Sequence, residues 1–201
     1  YASGLSALVE DEMDLGVTCI DMGGGITSLS VFFDGNMVFA GSVPLGGAHV
    51  TSDIARGLST TIANAERMQT LYGNAIPSDM DDRDYIDVPP IGEEVHAHPN
   101  HVPKSLLIGI IRPRLEEILE MTRDLLETSG FDKVAGQRVV LTGGASQMQG
   151  IRDLAAMILD KQVRLGQPMH MNGLAEATGG PAFSTCAGLL AYAQQSTAVM
   201  P

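Results

Sequence analysis

No stretch of this chain approaches the roughly 18 consecutive apolar residues that a membrane-spanning helix needs. The opening YASGLSALVEDEMD has neither the basic region nor the cleavage pattern of a signal peptide. Both absences predict a cytoplasmic protein. Cysteine is scarce: Cys19 and Cys186 lie far apart, without metal-binding or redox spacing, which excludes a disulfide framework and predicts two buried, reduced thiols. Basic residues are scarce as well, 12 Lys and Arg against 24 Asp and Glu, for a net charge of −12. A nucleic-acid partner needs a basic face, and none is on offer.

What is present is a 201-residue chain, 44% hydrophobic, with ample material for a buried core. A short helix is expected over residues 3–9. Strands follow at residues 17–21, 27–33 and 37–42, the last two joined by a DGN hairpin signal. After the PLGG break, Ile54, Leu58, Ile62, Ala65 and Met68 fall at helical spacing behind Thr51 or Ser52 as N-cap. Residues 73–103 turn acidic and proline-bearing, with seven acids against one arginine in SDMDDRDYIDVPPIGEE, and read as a surface region with two or three short strands. A long amphipathic helix begins near Lys104, should kink or break at Pro113, and stops at Gly130. A strand at 138–142, a glycine turn, a helix at 151–159, a strand near 163–165 and a small-residue helix at 183–193 complete an α/β pattern.

Three constellations could carry chemistry. In CIDMGGGITSLSVF, Asp21 ends a strand where a carboxylate can hold a divalent cation. Gly23, Gly24 and Gly25 lack β-carbons, so their amides can approach a phosphate, and Thr27 adds a hydroxyl. A plain glycine hairpin explains the same letters. In VVLTGGASQMQG, Gly143 and Gly144 end a strand and permit close approach of a flat ligand, although such turns occur in any α/β crossover. Glu66 and Gln69, three apart, share a helix face on which a carboxylate could take two ribose hydroxyls, or which could simply be solvated. His96, His98 and His101 lie in an irregular segment with nothing nearby to fix a metal geometry.

The order of these pieces resembles the second domain of the actin, sugar kinase and heat-shock chaperone ATPase superfamily. More specifically, VTCIDMGGGITSLSVF, PLGGAHVTSDIARGLSTTIANAER, IIRPRLEEILE, RVVLTGGASQMQGI, VRLGQP and FSTCAGLLAYA are similar to FtsA, the actin-like bacterial division family, over nearly the whole chain. The resemblance implies a ribonuclease H-like α/β core at 1–50 and 130–201, with an inserted smaller α+β subdomain at 51–129. It implies that Asp21, Gly23, Gly24, Gly25 and Thr27 match the second phosphate loop of an ATP site, with Asp21 organising Mg²⁺. Gly143 and Gly144 would match the adenosine loop and Glu66 the ribose acid, with Gln69 where the superfamily usually has lysine.

The chain is accordingly expected to be the C-terminal half of such a protein, lacking the first domain's phosphate loop and lysine. The segment QQSTAVMP after Ala193 shows no basic amphipathic pattern, so the family's membrane-targeting helix is expected to be missing too. The implied partners are the C-terminal tail of the tubulin-like FtsZ and, in the intact family, other copies in an actin-like polymer. The implied location is the inner face of the membrane at the division site. Arg114, then Arg112, are the expected tail contacts, since a guanidinium can hold a carboxylate by two parallel hydrogen bonds. Pairing with Glu117 or Glu116 is the plain alternative. At most a weak ATPase is implied for the whole protein, and little nucleotide affinity for this part. The rival reading is half of a sugar-kinase-like or chaperone-like ATPase.

Overall fold

The computed structural model describes residues 1–92, 99–169 and 176–198. A five-stranded mixed sheet is its frame, built from β1 (Val17–Met22), β2 (Thr27–Phe33), β3 (Asn36–Val43), β6 (Arg138–Thr142) and β7 (Gln162–Leu165) in the order β3-β2-β1-β6-β7. The first three strands run antiparallel through two tight hairpins, and β6 and β7 join parallel to β1. The expected strands are therefore present, within a residue of their expected ends. Asp34 and Gly35, at φ 50° and 69°, supply the left-handed backbone that the β2–β3 hairpin demands.

Strand alternation sends the side chains of β1 to two different layers. Ile20 and Met22 join Leu29, Val31, Val139 and Leu141 in a large apolar cluster with α3 (Gly47–Gly57), α4 (Ile62–Tyr72), α5 (Lys104–Thr128) and α6 (Ile151–Leu159). Val17 and Cys19 face the other way, with Leu8, Phe32 and Val140, under α1 (Ala2–Ala7) and α2 (Glu10–Leu15). Burial pushes the Cys19 thiol up to about 12. Cys186 departs from expectation: it is exposed on α7 (Ser184–Ala198), because that helix presents its small residues, not the cysteine, to α1. The crossing there is close enough that a β-carbon on Gly188 would lie 1.6 Å from the Ala2 carbonyl oxygen.

Three local expectations change, and one helix forms where none was expected. The acidic segment 10–15 is helical, held by Glu12, whose carboxylate accepts from the Val9 amide and from Arg164 on β7. The single helix expected from residue 51 or 52 starts instead at Gly47, and it divides into α3 and α4. Between them Ser59 takes φ 51°, the buried Thr60 hydroxyl donates to the Pro89 carbonyl, and Thr61 caps α4 by accepting from the Asn64 amide. The long helix α5 runs unbroken through Pro113. Leu107, Ile108 and Ile111 before the proline, and Leu115, Ile118 and Leu119 after it, are all buried, so an apolar seam anchors the helix on both sides while the proline itself lies exposed.

The acidic region forms a two-stranded ribbon, β4 (Tyr85–Val88) and β5 (Asn100–Pro103). His101 pairs with Asp87 at 2.9 Å and stacks on Tyr85, whereas His96 and His98 lie outside the described residues. Among the described residues no helix is long and apolar enough to cross a membrane.

Candidate functional site

The C-terminal ends of β1 and β6 lie side by side, with Asp21 registered against Thr142. In a parallel pair this is the edge where loops leave the sheet together, so the Gly23–Gly25 turn and the Gly143–Gly144 turn emerge at one place. Their approach is close. A β-carbon on Gly143 would sit 2.4 Å from Asp21 Oδ1 and 2.6 Å from the Met22 carbonyl oxygen, and Gly143 takes φ +90°, so glycine is required there on both counts.

Asp21 is half-buried, and its Oδ2 accepts from the Thr185 hydroxyl at 2.7 Å. Thr185 opens α7, and the same segment folds over the second turn: the Gly143 amide donates to the Pro181 carbonyl, and Thr142 and Ser184 share a 2.6 Å hydroxyl contact. One oxygen of Asp21 is thus oriented by α7 while the other faces the gap beside Gly143. Among the described residues no group of three or more His, Cys, Asp or Glu side chains could cage a metal. A single oriented carboxylate suits Mg²⁺, which retains water and takes its remaining ligands from a bound phosphate.

The glycine turn is braced from behind. Gly47 and Ala48, at the start of α3, donate their amides to the Gly23 and Gly24 carbonyls at 2.9 and 2.8 Å, and the Gly23 amide closes the turn onto the Ile26 carbonyl. Gly46 must also be glycine, since a β-carbon would meet the Gly23 carbonyl oxygen at 2.4 Å. With the Gly23 and Gly24 carbonyls engaged, the turn presents the amides of Gly24 and Gly25, which are exposed and have no hydrogen-bond partner among the described residues. Such a pair of free, fixed N–H groups is an anion-binding arrangement. Thr27 lies beneath the turn, buried, with its hydroxyl donating to the Leu45 carbonyl at 2.9 Å, so it secures the hairpin from below.

A cleft of about 280 Å³ opens beside the second turn, lined by Gln69, Thr70 and Gly73 of α4 and its end, and by Gly144, Ala145, Gln147 and Met148. The structure thus brings Gln69 and Gly144 together as walls of one cleft. Gln69 is held there by a 2.7 Å hydrogen bond with Thr51 of α3. Glu66 stands one turn earlier on α4, exposed, and does not line this cleft.

Arg112 and Arg114 lie elsewhere, on α5. Arg114 Nε and Nη2 donate to the two carboxylate oxygens of Asp53 on α3 at 2.6 and 3.2 Å, and Nη1 donates to Glu117. Arg112 Nε donates to Glu116 at 2.7 Å.

Thr185, Asp53 and the bracing pair Gly47 and Ala48 escape sequence reasoning. The first two act through partners 164 and 61 positions away. The PLGG break is the one local sign that the chain doubles back on the glycine turn.

Comparison with known proteins bears on this geometry. The family model described as "Cell division protein FtsA" matches residues 18–188. The chain is 54% identical over 194 residues to the cell division protein FtsA of Rhizobium meliloti (strain 1021), covering 96% of this chain and 44% of that protein. It is 39% identical to that of Neisseria meningitidis serogroup B, covering 94% and 45%, and 33% identical to that of Escherichia coli K12, covering 97% and 47%. The chain therefore spans less than half the length of these relatives.

Among solved structures, MreB5 of Spiroplasma citri bound to ADP aligns with TM-score 0.72 at 17% identity, over 97% of this chain and 58% of that one. A PilM–PilN type IV pilus biogenesis complex aligns at 0.65 and 21%, over 91% and 47%. The fold is that of an actin-type ATPase domain.

Proposed function

The chain belongs to the FtsA family of cell division proteins, and we propose that it contributes one wall of an ATP–Mg²⁺ site together with the surface that docks the FtsZ C-terminal tail. The observation that carries the nucleotide part is the pairing of the free Gly24 and Gly25 amides with the oriented Asp21 carboxylate at the shared edge of β1 and β6. The two amides hold the terminal phosphates, and Asp21 orients the water shell of Mg²⁺, which when bound neutralises phosphate charge. Gly143 and Gly144 let the base lie against the backbone, and Gln69 offers an amide to the ribose side of the cleft. Glu66, exposed one turn earlier on α4, is the acid this reading assigns to the ribose hydroxyls. MreB5 of Spiroplasma citri, whose fold this chain shares, has been solved bound to ADP and to AMPPNP, which supports nucleotide binding by this fold in general.

This reading assigns the chain to the second of two domains that close on the nucleotide, so the wall alone holds ATP weakly. The core comprises 1–50 and 130–201, and the segment 51–129 forms the smaller subdomain, whose long helix α5 also lies on the sheet. The tail-binding surface is on α5 around Arg114 and Arg112, where a guanidinium takes a partner carboxylate. In the whole protein this surface links the FtsZ ring to the membrane at the division site, and copies assemble into an actin-like polymer.

Isothermal titration calorimetry tests both halves. The chain is expected to bind an FtsZ tail peptide and to show weak or no heat with ATP–Mg²⁺. Tight ATP binding with no peptide affinity would sink the reading.

A further inference from the structure

Arg114 is the residue on which the proposed tail-binding surface turns, and its donors are already committed. Nε and Nη2 form a two-pronged contact with both oxygens of Asp53, and Nη1 meets Glu117. Two acids therefore surround one cation, in a chain of net charge −12. The Arg114 and Asp53 side chains are only 25% and 21% exposed, so their contact is partly shielded from water. The hydrogen bonds that Arg114 donates to Asp53 outweigh burial and hold the guanidinium more firmly protonated than usual. Two parallel N–H···O bonds are also how an arginine grips a carboxylate from another molecule. An acidic peptide arriving at α5 meets a filled seat flanked by like charge.

We propose that Asp53 is an internal ligand of Arg114 that sets the affinity and the chemical selectivity of this surface: a partner's carboxylate engages Arg114 only by displacing that of Asp53. The inference rests on the reading of Arg114 as the tail contact. It adds a residue on a different helix, 61 positions away in sequence, whose effect on binding is negative. Selectivity follows from the geometry of the exchange. A carboxylate that offers both oxygens replaces what Arg114 gives up, whereas an amide or hydroxyl replaces half of it and leaves a donor unpaired. Glu117 makes a single-nitrogen contact from an exposed position on α5, so it adds like charge without blocking the fork. Arg112, paired with Glu116 one turn along its own helix, has no such competitor from another element among the described residues.

Fluorescence anisotropy with a labelled FtsZ C-terminal tail peptide, titrated with the whole chain, tests this directly. Asp53→Asn is expected to tighten binding at least about threefold, because the neutral amide surrenders the fork more readily. Arg114→Gln is expected to weaken binding at least about tenfold. The double variant should match Arg114→Gln, and a peptide with its acidic side chains amidated should gain nothing from Asp53→Asn. Glu117→Gln, which leaves the α3–α5 contact in place, should give a smaller gain of the same sign.

Equal or weaker binding by Asp53→Asn and by Glu117→Gln, alongside loss in Arg114→Gln, would overturn the role of Asp53 and leave the tail-binding reading standing. Unchanged binding by Arg114→Gln would overturn that reading, and the role of Asp53 with it.

Discussion

At the scale of single residues, the site depends on what is missing from Gly143. Its φ of +90° and the 2.4 Å separation that any β-carbon would have from Asp21 Oδ1 leave no room for alanine. Gly143→Ala is expected to push the carboxylate off the Thr185 hydroxyl and to cost on the order of 1–3 kcal/mol of backbone strain. Chemical denaturation should register the loss, and Thr185→Val should reproduce the carboxylate's displacement without the strain. If Gly143→Ala unfolds at the wild-type midpoint, the two turns do not approach as described. The turn that follows Asp21 was legible in the sequence because a strand end and three glycines stand in adjacent letters. Thr185 was not, because a hydroxyl that meets a carboxylate across 164 positions leaves no local pattern. Thr27 was legible as a hydroxyl beside the turn, but only the structure places it underneath.

At the scale of elements, apolar pattern identified the strands and α6 closely, since their buried faces repeat with the period of the backbone. It failed where a distant partner decides. The break between α3 and α4 depends on the Thr60 hydroxyl finding the Pro89 carbonyl, and α2 on Glu12 finding Arg164, and neither shows in hydrophobic spacing. Pro113 misled in the opposite direction: a ring that costs a helix about 3 kcal/mol in isolation is tolerated where the buried seam on either side anchors the helix, which does not break there. The consequence is a pair of opposite effects in α5. Leu119→Ala, at a fully buried position, should lose about 2–5 kcal/mol. Pro113→Ala, at an exposed one, should gain stability by restoring an amide. Urea titrations of the two variants check this, and a loss in Pro113→Ala would mean that the ring itself packs against something.

At the scale of the whole molecule, the contact between Glu12 and Arg164 fastens the first layer of helices to the far edge of the sheet. Arg164 also donates to the Ala7 carbonyl, so one guanidinium joins three elements. Burial alone would raise the Glu12 pKa, but the hydrogen bonds from Arg164 and the Val9 amide overcome it and hold the carboxyl below its usual 4.5. A carboxyl depressed in the folded state stabilises the fold above its unfolded pKa, and that contribution disappears as pH falls through the lower folded value. Wild type and Glu12→Gln should therefore differ by a constant margin above about pH 5 and converge below about pH 4.5. Thermal melts across that range check it, and a gap that widens toward acid would contradict the assignment. A different consequence attaches to α3. Its first amides grip the glycine turn, and two turns later Asp53 grips Arg114. The helix between Gly47 and Asp53 is a strut about 9 Å long, and a strut transmits displacement equally from either end. If the proposed phosphate at one end changes the affinity of the proposed peptide at the other by some factor, the peptide must return that factor to the phosphate in full.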